Sequence, residues 1–417
     1  MSKFTNFNLL RLIFLFVIIL IFNGINFGLA KGMLQKKPKC NYNGICEKNE
    51  SSSCPDCQQQ PSAPLQLDHD GLQIVSGSGM DDRKVYHIKW IEGEYDNTWR
   101  SNENDHITRA SGIGDVDNDG YKEIITAVNY KKSTGPPKKR ISYQKIFVYE
   151  DGSEGDPNYA SHDLGHSLNG VRDLIIADAD NDDLNEIVLV KNKHIEIYEW
   201  NGSGFIHLWS GPEYDSFIWS VDVGDADNDG TNEIVLAMFS MGSAIVYEYL
   251  GDNTWGNPAA AQSIGTCNID YAKVRDADND GLNEIIGGGT SNGLNVWKYI
   301  DGAYVNVFLS EDLGGFTQGV DAGDIDGDGL NEVIVGTSSG TNDDMIYVFE
   351  YDFVNDSYEI IDSIACAGVE CISVGDVDGD GVDEIVVATE GITVFKIIDG
   401  LLKRVYNFLY GGYLEIG

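Results

Sequence analysis

The sequence predicts an all-β fold: a seven-bladed β-propeller after a signal peptide and a small Cys-rich segment. Three observations predict it. An acidic phrase recurs six times at near-constant spacing. Each copy is followed by short β-branched and aromatic runs, with no helical periodicity after residue 30. Among 417 residues, 48 Gly against 9 Pro favour many tight turns. The expected division is residues 1–30 as signal peptide, 31–64 as Cys-rich segment and linker, and 65–417 as propeller.

At the N-terminus, Lys3 precedes an apolar run over 9–22 that only Arg11 interrupts. Gly28-Leu29-Ala30 then puts small residues at the −3 and −1 positions of a cleavage site before Lys31. That order is a secretory signal, and an uncleaved anchor is the competing reading. The run falls short of the about 20 residues of a comfortable membrane span. The expected location is therefore secreted or cell-surface. Export directs the cysteine reading toward disulfides, among Cys40, Cys46, Cys54 and Cys57 and between Cys366 and Cys371. A four-cysteine zinc site is the alternative for the first group. Cys267 is left as a buried thiol.

The repeat organises everything that follows. GDVDNDGYKEII at 114, ADADNDDLNEIV at 177, GDADNDGTNEIV at 224, RDADNDGLNEII at 275, GDIDGDGLNEVI at 323 and GDVDGDGVDEIV at 375 share one pattern. Their first aspartates are 63, 47, 51, 48 and 52 residues apart, so one supersecondary unit is being stacked. In each unit a short alternating run leads into the acidic loop. A continuous apolar run such as 233–237 leaves it, the mark of a strand buried on both faces. A β-branched and aromatic run and a weaker fourth run complete four strands, the content of a propeller blade. Before the first loop, residues 72–101 supply strands two to four of a blade lacking its first strand. The tail at 413–417 fits that missing strand, so six whole units and one shared blade make seven, with the sheet edges closed. Asp68-His69-Asp70-Gly71 is the half-loop this division leaves.

In each loop, positions 1, 3 and 5 are Asp and position 9 is Glu, and the carbonyl of position 7 is a further donor. The six sets are Asp115, Asp117, Asp119, Tyr121 and Glu123; Asp178, Asp180, Asp182, Leu184 and Glu186; and Asp225, Asp227, Asp229, Thr231 and Glu233. They continue with Asp276, Asp278, Asp280, Leu282 and Glu284; Asp324, Asp326, Asp328, Leu330 and Glu332; and Asp376, Asp378, Asp380, Val382 and Glu384. Hard oxygen donors in this number suit Ca²⁺ better than the stricter octahedron of Mg²⁺. Without a cation, four neighbouring carboxylates repel. About six structural Ca²⁺ ions are expected. The loop at 178 carries Asp183 where the others carry Gly, and weaker binding is expected there.

These six loops and the apolar strands behind them resemble the FG-GAP/VCBS repeats of calcium-binding, integrin α-like propellers. The resemblance covers residues 65–417 and implies loops between the first and second strands of each blade, on one face, with partners met on the other. Glu at position 9, where that family often has Asp, and the missing Phe-Gly…Gly-Ala-Pro signature place the chain nearer the VCBS branch.

Charge limits the partners. The net charge is −39, and −41 once Lys3 and Arg11 of the signal are removed, a surface that repels phosphate backbones and anionic lipid. No nucleophile elbow, zinc-protease, P-loop or dinucleotide motif is present. The expected function is therefore a non-enzymatic binding or adhesion module for an extracellular glycan or protein. A calcium-dependent polysaccharide lyase on the same fold is the alternative. The insertion over 129–145 carries Lys131, Lys132, Lys138, Lys139, Arg140 and Lys145, and reads as a solvated loop or a docking site for an anionic partner. Trp90, Trp200 and Trp297 are expected at equivalent third-strand positions, and Trp99, Trp209 and Trp255 on or near fourth strands, packing between blades, with sugar-stacking platforms as the alternative. Trp219, beside a first strand, is the better candidate for ligand contact. His162 and His166 are four apart on a turn-rich stretch, which disfavours a metal pair.

Overall fold

The computed structural model describes residues 64–67, 73–77, 84–102, 107–134, 139–154, 159–163, 170–239, 243–256, 269–289, 293–339, 344–389, 391–408 and 413–416. They form seven four-stranded antiparallel sheets. Blade one holds Ile107–Gly114, Glu123–Thr134, Lys139–Tyr149 and Tyr159–Asp163. Blade two holds Val171–Ala177, Glu186–Lys191, His194–Trp200 and Phe205–Ser210. Blade three holds Ile218–Gly224, Glu233–Met238, Ser243–Tyr249 and Trp255–Gly256. Blade four holds Tyr271–Arg275, Glu284–Gly288, Asn295–Ile300 and Ala303–Leu309, and blade five Phe316–Gly323, Glu332–Ser338, Met345–Asp352 and Ser357–Ala365. Blade six holds Cys371–Gly375, Glu384–Ala388, Ile392–Ile398 and Leu401–Phe408. In blade seven the chain's last strand, Tyr413–Ile416, pairs with Ile74–Gly77, followed by Val85–Ile91 and Glu94–Arg100. The chain thus closes a ring of first strands, each touching the next. The shared blade is as the sequence predicts.

The core is not one mass but seven layers between neighbouring blades. Seven apolar clusters lie one at each blade junction; Ile125, Val148, Leu174 and Leu189 join blades one and two, for example. Second strands sit in the middle of this sandwich. Glu186–Lys191 and Glu233–Met238 are buried at every residue, which is why their apolar runs are continuous rather than alternating. Burying an Ile or Leu side chain contributes roughly 1.5–3 kcal/mol, so each second strand anchors two interfaces at once. Fourth strands are instead largely exposed, as in Ser357–Ala365, because they form the outer rim. Leu65 is fully buried in the layer between blades seven and one, where the propeller begins.

The inner ring is tight. A Cβ built on Gly319 would stand 2.6 Å from the backbone nitrogen of Ile372 in the next blade, so no side chain fits there. Buried aspartates stitch this ring. Asp222 accepts from the Val274 amide at 2.8 Å and Asp321 from the Val374 amide at 3.0 Å, each one blade onward. Arg275 lies between them, 3.1 Å from Asp222 and 2.9 Å from Asp321, and balances the two charges.

Several expectations need correction. Cys366 and Cys371 are thiols, not a disulfide. The short link between them runs from the outer strand of blade five to the first strand of blade six. Cys366 packs between blades five and six and Cys371 between blades six and seven. Cys40, Cys46, Cys54, Cys57 and Cys267 lie outside the described residues, as do residues 1–30, expected to be a signal peptide, the half-loop expected at 68–71 and His166. The basic insertion is not a free loop: its backbone extends strands two and three of blade one to the pair Thr134↔Lys139. The tryptophans are not all equivalent either. Trp297 pairs with Ile285, while Trp90 and Trp200 sit two residues further along and pair with Tyr95 and Phe205. Interblade packing does hold for the buried ones. Trp99 donates from Nε1 to the Ser153 carbonyl of blade one, and Trp255 to the Ala179 carbonyl of blade two. Trp219 is covered by the Arg172 guanidinium, 4.4 Å from its ring.

Candidate metal sites

All six acidic loops connect the first and second strands of a blade, and all six share one wiring. Position 9 closes each loop. Its Oε2 accepts from the amide of position 2: Glu123 from Val116, Glu186 from Ala179, Glu233 from Ala226, Glu284 from Ala277, Glu332 from Ile325 and Glu384 from Val377. Position 1 accepts the amide of position 6, as Asp115 does from Gly120 at 2.9 Å and Asp376 from Gly381 at 2.9 Å. Position 5 accepts the amide of position 7: Asp119 from Tyr121, Asp182 from Leu184, Asp229 from Thr231, Asp280 from Leu282, Asp328 from Leu330 and Asp380 from Val382. Amide donors on the outer side leave the remaining carboxylate oxygens turned toward one point.

The turn needs left-handed backbone at positions 4 and 6. Asn118, Asn181, Asn228 and Asn279 take φ between 60° and 64° at position 4, and Gly120, Gly230, Gly281, Gly329 and Gly381 are positive at position 6. Asn and Gly are the residues that tolerate this region. Asp183 adopts it too, at φ 68°, and its amide still reaches Asp178 at 3.0 Å, so the exceptional loop keeps the common shape.

Among the described residues six acidic groups bring carboxylate oxygens within 4.8 Å of one another, among them Asp115, Asp117 and Asp119; Asp178, Asp180 and Glu186; Asp225, Asp227 and Asp229; Asp276, Asp278 and Glu284; Asp324, Asp326 and Glu332. Burial pushes the carboxyls of Glu123, Glu186, Glu233 and Glu332 up to about 8, with the neighbouring aspartates adding to the effect. In the loop at Asp178, the buried oxygens Asp180 Oδ1 and Glu186 Oε1 have no hydrogen-bond partner. Buried acceptors without donors are costly, and an oxygen-seeking cation is the partner that removes the cost. The donor set therefore fits a hard divalent ion. Asp376, Asp378, Asp380 and Glu384 hold the corresponding positions of the sixth loop, and the position-7 side chains Tyr121, Leu184 and Leu282 are exposed. Any part played by Tyr121, Leu184, Thr231, Leu282, Leu330 or Val382 falls to the backbone carbonyl.

Sequence reasoning missed how the loops join one another. The Asn185 amide donates to Asn118 Oδ1 at 2.8 Å, and its Nδ2 donates to the Asp115 carbonyl at 2.8 Å. Asn232 reaches back to Asn181 and Asp178, Asn283 to Asn228 and Asp225, and Asn331 to Asn279 and Asp276 in the same way. The signal was present: Asn recurs at positions 4 and 8 of the repeated phrase, at spacings that only a stacked array brings together.

Residues 178–236 match the model of the FG-GAP-like repeat. This stretch is similar to an FG-GAP-like repeat. It runs from the acidic loop of blade two through that of blade three into the strand behind it, and the other four loops repeat its phrase. No curated protein sequence matches the chain. Among solved structures, a protein from Lactobacillus plantarum is similar over 83% of this chain and 99% of its own, at 11% identity and TM-score 0.59. A Bacteroides fragilis NCTC 9343 protein provisionally named a 6-phosphogluconolactonase is similar over 85% of this chain and 99% of its own, at 12% identity and TM-score 0.56. At such identities the likeness concerns the fold alone. An FG-GAP-like repeat on a seven-bladed propeller fits a binding module.

Proposed function

We propose that the protein is an exported or cell-surface propeller whose acidic loops hold structural Ca²⁺, and that it acts as a binding module for an extracellular glycan or protein. The observation that carries the reading is the set of six loops with a shared wiring and converging carboxylate oxygens, two of which, Asp180 Oδ1 and Glu186 Oε1, are buried without a donor. The ions contribute folding free energy, because the loops repel themselves without them. Ligand recognition then falls to loops on a frame that calcium stiffens. Calcium titration followed by thermal unfolding tests the metal half, with a melting temperature that rises with calcium as the expected result. A constant melting temperature overturns it. A glycan array and a surface pull-down, each run with and without calcium, test the ligand half.

A further inference from the structure

The six loops have the same wiring but not the same charge. In each of blades one to six the third strand lays one residue opposite the start of the second strand: Tyr149, Tyr198, Tyr247, Trp297, Phe349 and Phe395 pair with Ile124, Ile187, Ile234, Ile285, Val333 and Ile385. The next residue along therefore faces the loop glutamate, as the pair Glu199↔Glu186 shows directly. At that place stand Glu150, Glu199, Glu248, Lys298, Glu350 and Lys396. Four loops thus stand opposite a fifth carboxylate at this register position.

The other two loops contain an ammonium. Lys298 Nζ contacts Asp278, lies 2.8 Å from Asp280 and 3.6 Å from Glu284. Lys396 Nζ lies 2.6 Å from Asp378, 2.7 Å from Asp380 and 2.7 Å from Glu384. In each case these are positions 3, 5 and 9, three of the four side chains that would hold an ion. We propose that Lys298 and Lys396 are built-in counter-cations: Ca²⁺ fills the loops opening at Asp115, Asp178, Asp225 and Asp324 first, and enters those at Asp276 and Asp376 only by displacing an ammonium. The proposal rests on the calcium reading above. Its physical basis is that a Glu-to-Lys exchange changes the local charge by two units, and ligand charge count sets Ca²⁺ affinity in loops of this kind.

Native mass spectrometry of the full chain across a calcium titration tests this. Four ions should bind at a calcium concentration at least tenfold below that needed for the last two. Lys298→Glu and Lys396→Glu should each move one ion into the tight class, and Glu248→Lys should move one out. Six equivalent ions in the unaltered chain, or variants that leave the division unchanged, overturn the proposal while the calcium reading stands. Binding of no ion at all overturns the calcium reading itself. Lys298→Gln gives a readout that survives poor folding of the charge-reversed variants. It should lower the melting temperature in EDTA and leave it level or raised in saturating calcium. A fall in both conditions would mean that the lysine is merely structural, and would sink the idea.

Discussion

From the first loop to the fifth, each acidic loop is tied to the next by two asparagines that exchange amide and carbonyl bonds. Between the fifth and sixth, the fourth position is Gly327 and the eighth is Asp383. Gly327 takes the left-handed turn at φ 80° but has no side chain to reach across. Asp383 accepts the Asp324 amide at 3.1 Å and donates its own amide to the Asp324 carbonyl at 2.9 Å. This junction also packs differently, because a Cβ on Gly327 would fall 2.9 Å from a Val382 methyl. Burial raises the Asp383 carboxyl, the Asp324 amide pulls it back, and Asp376 and Asp324 push it up again. Neutral amides make a lateral tie that works whether or not the loops hold ions. The carboxylate at the last junction adds one more charge to an acidic rim, so its strength depends on what neutralises that rim.

Calcium withdrawal should have the largest effect. EDTA should lower the melting temperature by on the order of 10 °C or more, since several ions each contribute to folding. Hydrogen exchange in EDTA should release the loop amides of blades five and six before those of blades two to four. Uniform release would dissolve the distinction between the two kinds of junction.

Next in size is pH. In the metal-free chain the folded state holds protons on Glu123, Glu186, Glu233 and Glu332 that the unfolded chain has given up above its ordinary 4.5. Their contribution is whole below 4.5 and is lost as pH rises toward about 8, so metal-free stability should fall over that window. Urea unfolding at pH 5 and pH 8 checks the sign, and saturating calcium should flatten the slope. Asn283→Ala comes third. It removes the side-chain donor to the Asp225 carbonyl, and should cost about 1–2 kcal/mol in urea with or without calcium. The smallest expected effect is Asp383→Asn, which keeps an acceptor for the Asp324 amide and removes the charge. A gain of about 0.5–1 kcal/mol in EDTA that shrinks in calcium is the expected result. An equal gain in both conditions would remove charge as the reason the last junction differs.

Much of this was legible in the chain because the determinants are local and repeated. Position 9 glutamate, position 6 glycine and the fully apolar second strand are read within a dozen residues, and six copies remove the ambiguity a single loop leaves. The shared blade was legible because the tail supplies a first strand that residues 72–101 lack. What could not be read depends on register across blades. Trp297 looks like Trp90 until pairing separates them by two residues. Lys298 and Lys396 look like ordinary surface lysines until the third strand is laid against the loop. Cys366 and Cys371 are close in sequence, yet one ends an outer strand and the other begins an inner one. The Asp222–Arg275–Asp321 group spans three blades, so no local window contains it.

The seam between Ile74–Gly77 and Tyr413–Ile416 has a kinetic consequence. Six blades are hairpin-built and can form from neighbouring sequence, but the ring closes only when the first and last described strands meet, the most non-local pairing among the described strands. Closure should therefore be the slow, late step, and until it occurs the inner edge of Ile74–Gly77 is an unpaired β-edge. During synthesis that edge stays open until residue 416 has been made. The making of Tyr413–Ile416 thus sets the moment at which an aggregation-prone open array becomes a closed ring.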